Sequence, residues 1–312
     1  MALEAVVGSY GVGPTMRIPR MPVAGETLSG GEFSSGHGGK GSNQAVQAAR
    51  LGAQVDFFTA IGADDLGHGG QALWVEEGVD ARPVICAEAA TMAGVILVEE
   101  SGENRIVIAP GALARLRPEH LDDFRSALES ADIVVVSLEI PVDVAVRALE
   151  LAHTAGTRTL LNPAPAAALP DTLWPAVDVL TPNATEAAIL LGLDPSAAET
   201  EPAEALVRQL HARTGATILM TRGGDGVLVC VDGEMTTVPA VPATAVVDTT
   251  GAGDSFTGAV AGALAEGADP VAAAELGARA GSWAVAHHEV IPSLPRRADL
   301  DRHTDSTEGE PA

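Results

Sequence analysis

The chain is poor in aromatic residues, which make up 3% of its 312 residues and include a single tyrosine. Its core must therefore be built from Ala, Val, Leu and Ile, and an apolar content of 46% is sufficient for that. The length is that of one large α/β domain carrying a small appendage. The scarcity of aromatic rings also counts against a site that stacks nucleobases.

Positive charge is the second shortage. Lys and Arg number 18 against 42 Asp and Glu, which leaves a formal net charge of −24. So acidic a chain repels phosphate backbones and anionic lipid surfaces, and we expect no nucleic-acid or membrane partner. ATP remains an acceptable ligand, because a local cradle of backbone N–H groups can hold phosphate inside a negative protein.

Cysteines and long apolar runs are also scarce. The two cysteines, Cys86 and Cys230, provide neither a disulfide framework nor a metal cluster, and they favour a reducing compartment. The first residues lack the basic and apolar regions of a signal peptide, and no uninterrupted run of about 18 apolar residues occurs. We therefore expect a cytoplasmic protein.

Short apolar strands alternate with longer Ala-rich helices through most of the chain. Strands are predicted at Ala5–Ser9, Val55–Ile61, Ile133–Leu138, Thr159–Asn162, Val179–Thr181, Thr217–Thr221 and Val227–Val231. Helices are predicted at Ser42–Leu51, Gly67–Glu77, Pro118–Glu129, Val142–Ala155, Glu201–Thr214, Asp254–Glu266 and Pro270–Ala286. This order is typical of a parallel sheet covered on both faces. Residues 1–298 are predicted to form one domain, and the acidic residues 299–312 a disordered tail.

Two segments interrupt the alternation. Gly25–Gly36 is rich in Gly and Ser, and Thr91–Ala109 has the pattern of two joined strands. We expect a small sheet, built from about residues 14–36 and 91–109, that projects from the core as a lid.

The most informative motif is Asp248-Thr-Thr-Gly-Ala-Gly-Asp254, which runs directly into a helix of small apolar residues. A helix start presents unpaired N–H groups and the positive end of the helix dipole, so it attracts anions. Gly251 and Gly253 let the backbone approach an anion closely. Asp254 places a proton acceptor beside it, as phosphoryl transfer to a hydroxyl requires. The alternative is a loop–helix junction with an aspartate near its N-cap.

A second glycine-rich stretch, Gly36-His-Gly-Gly-Lys-Gly-Ser-Asn43, precedes the first predicted helix. It is not a Walker A loop, because Gly41 separates the lysine from the serine. Its glycines can bring the main chain close to a small polyhydroxylated ligand, while Lys40 and Asn43 supply hydrogen bonds. The alternative is a flexible loop with a capped helix.

Three further features lie near strand ends, where open α/β folds bind ligands. Asn183 and Glu186 are three residues apart at a helix start, so they either face one Mg²⁺ site or cap the helix. Thr221-Arg-Gly-Gly-Asp-Gly226 is either a hairpin turn or a loop around nucleotide phosphates. Glu139 follows the strand that ends at Leu138.

Five motifs in order resemble those of the ribokinase-like (PfkB) family of carbohydrate kinases, and the ribokinase subgroup in particular. They are Gly38–Ala45, Leu161–Ala166, Thr181–Glu186, Thr221–Gly226 and Asp248–Phe256. The resemblance runs from about Ala5 to Pro295. It implies a three-layer α/β/α sandwich with a mostly parallel central sheet and a small β lid. It also implies a phosphotransferase that uses ATP and Mg²⁺ to phosphorylate a hydroxymethyl group of a sugar or sugar-like substrate.

The same resemblance implies roles for individual residues. Asp254 would be the general base, and the amides of Gly251, Ala252 and Gly253 would form the anion hole. The positions matching sugar contacts are Gly11, Gly13, Gly38, Gly39, Lys40, Asn43, Glu139 and Asp254. The positions matching the nucleotide site are Asn183, Thr221, Gly223 and Gly226, with Glu186 as the Mg²⁺ residue. Many members also bind K⁺, and the matching positions are Asp248, Thr250, Ala284, His287 and Ser293.

The chain departs from the family pattern at two places. Ribokinases usually carry Asn-x-Asp after the first strand, and that Asp grips sugar hydroxyls. Gly11 and Gly13 stand at these positions here, so the acceptor is bulkier or is hydrogen-bonded through Tyr10 or Thr15 instead. Glu289 stands where the family usually has Gly, next to the K⁺ loop.

Two rival functions stay open at this point. A nucleoside kinase on the same fold would use the roomier pocket at Gly11 and Gly13, although few aromatic rings are available for stacking. A catalytically idle sugar or nucleotide sensor would explain the loss of the sugar-gripping Asp, but such a sensor has no need of a base. If the protein is a kinase, we expect the lid to close over the site and exclude water. We also expect a homodimer that forms through the lid.

Overall fold

In the computed structural model, which describes residues 2–29, 31–99 and 104–307, most of the apolar segments form strands of a large central sheet, and the other strands belong to two smaller sheets. In chain order the strands are β1 (Leu3–Val7), β2 (Gly11–Ile18), β3 (Glu32–Gly38), β4 (Gln54–Phe58), β5 (Ala60–Gly62), β6 (Val79–Ala81), β7 (Val84–Cys86), β8 (Met92–Glu99), β9 (Asn104–Ala109), β10 (Ile133–Ser137), β11 (Arg158–Asn162), β12 (Val179–Leu180), β13 (Thr217–Thr221), β14 (Val227–Val231) and β15 (Glu234–Val238).

The helices connect these strands over the two faces of the sheet. They are α1 (Lys40–Arg50), α2 (Asp65–Glu77), α3 (Arg125–Ser130), α4 (Val142–Ala155), α5 (Ala184–Leu190), α6 (Ala197–Thr200), α7 (Ala203–Thr214), α8 (Ala252–Ala265), α9 (Pro270–Ala284), α10 (Val290–Ser293) and α11 (Arg297–Thr307). Short 3₁₀ segments lie at Gly111–Arg115, Pro118–Phe124, Asp171–Ala176 and Gly223–Asp225. No helix within the described ranges is long and apolar enough to span a bilayer.

The central sheet has nine strands in the order β15-β14-β13-β12-β11-β10-β1-β4-β6. The strands from β13 to β6 in this order pair in parallel, and β14 and β15 add an antiparallel edge. Successive residues of β1 face opposite sides, so that Ala5 and Val7 pack with α3, α4, α5 and α7 while Val6 packs with α1, α2, α8 and α9. The predicted three-layer α/β/α sandwich with a mostly parallel sheet is confirmed.

A second sheet of four strands, in the order β3-β2-β8-β9, lies apart from the central one and is called the lid sheet below. The predicted lid range 14–36 contains the second half of β2 and most of β3. No strand was predicted at β2 itself, because its sequence contains glycines and a proline. The β2–β8 ladder is interrupted at Gly13 and Pro14, as expected for a residue without an N–H group. Residues 100–103, inside the second predicted segment, lie outside the described residues.

Several predicted bounds differ from the structure. The strand predicted at Val55–Ile61 is two strands, β4 and β5, and the helix predicted at Pro118–Glu129 begins as a 3₁₀ segment before α3. The predicted disordered tail is also wrong over its first part, because α11 spans Arg297–Thr307. The reason is Leu300, which is buried in the core on the α9 side of the sheet. Residues 308–312 lie outside the described residues.

Candidate active site

Asp254 lies in the first turn of α8, where it is buried with 7% of its surface exposed. Its Oδ2 accepts a hydrogen bond of 2.8 Å from Asn43 Nδ2, and its Oδ1 accepts one of 3.0 Å from Gln44 Nε2. Burial raises the pKa of Asp254, while the charge of Lys40 and the two amide donors partly oppose the rise. The two amides from α1 hold the carboxylate in one orientation.

The hydrogen-bond chain continues from Gln44 toward the strand ends. Gln44 Nε2 also donates to Asn162 Oδ1 at 3.1 Å, and Asn162 Nδ2 donates to the carbonyl of Thr181 at 3.0 Å. Sequence reasoning did not assign Gln44 or Asn162 to the site. The available signal was that α1 buries the amides of Gln44 and Gln47 among alanines and one valine, and buried amides require hydrogen-bond partners.

Gly251 is the N-cap of α8 and has a left-handed backbone, with φ 82°. A methyl group there would lie 2.6 Å from Val290 Cγ1, so the conformation and the space both require glycine. Gly253 has open space beside it. The first N–H groups of a helix lack acceptors within the helix, which is why a helix start attracts anions. At the start of α8 the Ala252 N–H donates to the Thr249 carbonyl at 3.3 Å, and the N–H groups of Gly251 and Gly253 flank it.

Lys40, the first residue of α1, lies among the carboxylates of Asp254, Glu139 and Glu186, and these four residues are called the Asp254 cluster below. Burial lowers the pKa of Lys40, but the nearby carboxylates of Asp254, Glu139 and Glu186 more than compensate and the net pKa is raised. Glu139 Oε2 accepts hydrogen bonds from the Lys40 backbone N–H at 3.0 Å and from Ser9 Oγ at 2.5 Å. The structure therefore brings together the predicted residues Lys40, Asn43, Glu139, Glu186 and Asp254.

The two glycines that follow β1 differ in the space around them. A methyl group on Gly11 would lie 2.5 Å from Met92 Cε, so Gly11 has no room for a side chain. A methyl group on Gly13 would lie 3.5 Å from Ile96 Cδ1, which is an ordinary contact, so the position is open. The absence of a side chain at Gly13 therefore leaves an open space beside the lid sheet.

Tyr10 does not point into that space. Its ring is fully buried, and its hydroxyl donates to the Leu66 carbonyl at 3.1 Å and hydrogen-bonds His37 Nδ1 at 2.8 Å. The expectation that Tyr10 replaces the missing acceptor is therefore wrong. Thr15 is half-buried, and its hydroxyl lies 3.5 Å from the Gly13 carbonyl.

The remaining predicted sugar positions, Gly38 and Gly39, lead into α1. Gly39 is the N-cap of α1 with φ 92°, and a methyl group on it would lie 2.6 Å from the Tyr10 Cα. The close approach of these two backbones therefore depends on glycine. Gly38 pairs with Gly11 in the lid sheet.

Asn183 and Glu186 form a capping box at the start of α5. Asn183 Oδ1 accepts from the Glu186 N–H at 2.8 Å, and Glu186 Oε2 accepts from the Asn183 N–H at 2.8 Å. Burial raises the pKa of Glu186, with Lys40 acting against the rise and Asp254 with it. Asn183 and Glu186 therefore cap the helix, as the alternative interpretation expected. The Glu186 carboxylate nevertheless lies close enough to Lys40 and Asp254 to interact with their charges.

The loop from Thr221 to Gly226 is a tight turn between β13 and β14, and it meets the α5 start. Asn183 and Thr221 form a parallel bridge, and the Thr221 N–H donates to the Pro182 carbonyl at 2.9 Å. Gly223 and Gly226 have φ values of 55° and 82°, which explains the glycines there. The two stretches predicted to bind the nucleotide are therefore neighbours.

The residues predicted to bind K⁺ lie on segments that meet next to Gly251. The Val247 N–H donates to the Val285 carbonyl at 2.7 Å, and this joins the Asp248 segment to the end of α9. Asp248 Oδ1 accepts from the Thr250 N–H at 2.9 Å. The Ala284 carbonyl accepts from the His287 N–H at 3.1 Å, and the buried Ser293 Oγ donates to the Val290 carbonyl at 2.8 Å.

Comparison with known proteins gives a consistent result over nearly the whole chain. The model of the pfkB family carbohydrate kinases matches residues 9–297. Ribokinase of Haemophilus influenzae is 34% identical over 94% of this chain and 95% of its own, and ribokinase of Bacillus subtilis is 35% identical over 95% and 97%. The structure of Arabidopsis thaliana ribokinase complexed with ribose and ATP is similar with a TM-score of 0.87, 30% identity, and coverage of 97% and 99%. These matches confirm the resemblance, and the chain belongs to the PfkB family of carbohydrate kinases.

Proposed function

We propose that this carbohydrate kinase transfers the terminal phosphoryl group of ATP to a hydroxymethyl group of a ribose-like sugar, with Asp254 as the general base. The observation that carries the proposal is the buried Asp254 carboxylate, oriented by Asn43 and Gln44 beside the glycine-rich start of α8. The relative solved with ribose and ATP supports both substrates.

In this mechanism Asp254 accepts the proton of the hydroxymethyl group as its oxygen attacks phosphorus. The raised pKa of Asp254 makes it a better proton acceptor than a solvent-exposed aspartate. The amides of Gly251, Ala252 and Gly253 stabilise the charge that develops on the phosphoryl oxygens. Lys40, Asn43 and Glu139 orient the sugar at the other side of the carboxylate.

The nucleotide and its cations fit the neighbouring oxygen-rich and glycine-rich segments. Asn183, Thr221, Gly223 and Gly226 would line the nucleotide site. Glu186 would hold Mg²⁺. The Asp248 carboxylate, the Thr250 carbonyl, the carbonyls near Ala284 and His287, and the Ser293 hydroxyl would supply oxygen ligands to K⁺, a hard cation. Mg²⁺, when bound, neutralises charge on the phosphates, which matters in a cluster with three carboxylates around Lys40.

Asp254→Asn tests the base directly. We expect phosphorylation of every accepted sugar to fall by at least about 10³-fold, since the variant cannot take the proton. The fold should survive, because the buried Asn43 Oδ1 has no hydrogen-bond partner among the described residues and the Asn43 amide can turn so that this oxygen accepts from the new amide. ADP release over a panel of pentoses, hexoses and nucleosides measures turnover, and the unfolding midpoint and ATP affinity measure integrity.

The matched control is Asp269→Asn, which changes the N-cap of α9 without approaching the cluster. This variant should keep wild-type turnover. Phosphorylation of any panel compound by Asp254→Asn at the wild-type rate would refute the assigned base. Phosphorylation of nucleosides in preference to sugars would instead replace the proposed acceptor.

We also infer a homodimer formed through the lid sheet, and a location in the cytoplasm, where ATP is available. The register of the lid sheet places Met16, Phe33, Val95 and Val107 on one face, and each of them exposes more than two-fifths of its surface. An apolar group of this kind on a small sheet is the usual sign of a protein contact. The free cysteines Cys86 and Cys230 agree with a reducing compartment.

A further inference from the structure

A carboxylate that the proposed mechanism does not use lies between the lid sheet and the start of α8. Glu289 is exposed and directly precedes α10. A methyl group on Gly36 would lie 3.9 Å from its Oε2, so the side chain reaches across to β3. The next residue, Val290, is the one that fills the space beside Gly251. Glu289 therefore stands at the boundary between the lid sheet and the Asp254 cluster.

The backbone at Glu289 is strained. Its φ of 63° and ψ of 164° lie in a region that is essentially restricted to glycine. The other non-glycine residue with positive φ in the described ranges is Asp232, which lies in the tight turn between β14 and β15, where that conformation is common. Glu289 has no such turn to explain it. A glutamate kept in a glycine conformation indicates a role for its side chain.

The register of the lid sheet shows what the carboxylate faces. Gly36 pairs directly with Gly13 in the β2–β3 ladder, so both residues present the same face, with their side-chain positions roughly 5 Å apart. The position at Gly13 is open, since a methyl group there would meet only Ile96 Cδ1 at 3.5 Å and the Gly94 carbonyl at 3.9 Å. The Glu289 carboxylate thus borders the space that the two glycines leave free.

We propose that Glu289 is a substrate-binding residue whose carboxylate accepts hydrogen bonds from two adjacent hydroxyl groups of the sugar in the space over Gly13 and Gly36. The inference rests on the proposed function, because a sugar must occupy this space. A carboxylate has two acceptor oxygens, which match the two donors of a vicinal diol. Glu289 then sets specificity for the acceptor from the N-cap of α10, which is a different element from the strand that carries Gly13.

The test compares Glu289→Gln and Glu289→Gly with the wild type on ribose and on its monodeoxy analogues. We expect the KM for ribose to rise about 10- to 100-fold, the effect of losing hydrogen bonds to a charged group. The KM for ATP and kcat should stay within about twofold. An analogue that lacks a contacted hydroxyl should be nearly insensitive to either substitution. Glu289→Gly should also unfold at a higher temperature than the wild type, because it relieves the backbone strain.

A weaker affinity for ribose together with a higher unfolding temperature in Glu289→Gly would indicate that Glu289 binds the sugar and does not stabilise the fold. A purely structural Glu289 would lower the unfolding temperature when replaced and leave the KM for the sugar unchanged, which would overturn the inference. A matching rise in the KM for ATP would also overturn it, since it would place the carboxylate at the nucleotide or its cation. Glu275→Gln, at an exposed position on α9, is the control for removing one negative charge.

Failure of the inference is distinguishable from failure of the proposed function. If the wild type phosphorylates no sugar, the proposed function is wrong and the inference falls with it. If the wild type phosphorylates ribose and Glu289→Gln does so with an unchanged KM, the inference alone is wrong. A further check is Gly13→Asp in the Glu289→Gly background, which has room for the new side chain and should recover at least about tenfold of the lost affinity.

Discussion

Glu4 is a fully buried carboxyl group in β1, and replacing it should make the stability of the protein less sensitive to alkaline pH. It lies between Val55 of β4 and Ile133 of β10, and neither of its oxygens has a hydrogen-bond partner in the described residues. Burial raises the pKa of Glu4 to about 8, and the negative charges of Glu266 and Asp132 add to the rise.

The sign of the effect follows from the two pKa values. The unfolded chain ionises Glu4 near its ordinary pKa of 4.5, whereas the folded protein keeps it protonated up to about pH 8. The associated stability is therefore complete below the unfolded pKa and is lost as pH rises through the folded one. The full loss has an upper limit of about 5 kcal/mol, of which about 3 kcal/mol falls between about pH 6 and about pH 9.

Urea unfolding of the wild type and Glu4→Gln over this pH range measures the difference. Glutamine keeps the shape of the protonated acid and cannot ionise, so its advantage over the wild type should grow by about 3 kcal/mol toward alkaline pH. Glu275→Gln, exposed on α9, should follow the wild-type curve. Parallel curves for the wild type and Glu4→Gln would show that Glu4 is ionised in the folded protein, and this would refute the reasoning.

Two further predictions concern packing and assembly. Gly41→Ala places a methyl group 2.6 Å from the Gly8 backbone, so it should cost about 1–3 kcal/mol of unfolding free energy, whereas Gly224→Ala, with no atom within 4 Å, should cost under about 1 kcal/mol. Urea titration checks both, and equal midpoints would contradict the close approach of α1 to β1. Val107→Glu puts a charge on the exposed lid sheet and should convert the proposed dimer to a monomer in light scattering, while an unchanged mass would place the contact elsewhere.

The parts of the fold that the sequence predicts well are those with local causes. The helix at Val142–Ala155 was predicted with both ends correct, because its apolar spacing stops at Gly156, which adopts the left-handed cap. Strand β2 was missed for the opposite reason. It contains glycines and a proline that locally favour a loop, and only pairing with β3 and β8 makes it a strand.

The same distinction applies to the site. Asp254 is predictable because the glycines that shape the helix start are its neighbours in the chain. Its orienting partners are not, since Gln44 lies 210 residues away and Asn162 joins through Gln44 rather than directly. A buried amide in an Ala-rich helix indicates that a partner exists, but only the packing of α1 against α8 identifies it.

This difference also explains why the reaction is easier to infer than the acceptor. In the proposed mechanism consecutive amides at one helix start receive the phosphoryl group, so a single short motif encodes that half of the site. The proposed acceptor half combines residues after β1, the lid sheet and the N-cap of α10, and it depends on pairs such as Gly13 with Gly36 and Gly36 with Glu289. A carboxylate lost from one of these elements can therefore be supplied by another without any change in the phosphoryl-transfer motif. If Glu289 binds the sugar as proposed, specificity depends on how the lid sheet and the start of α10 lie against each other. Substitutions on either element should then change the KM for the sugar before they change kcat.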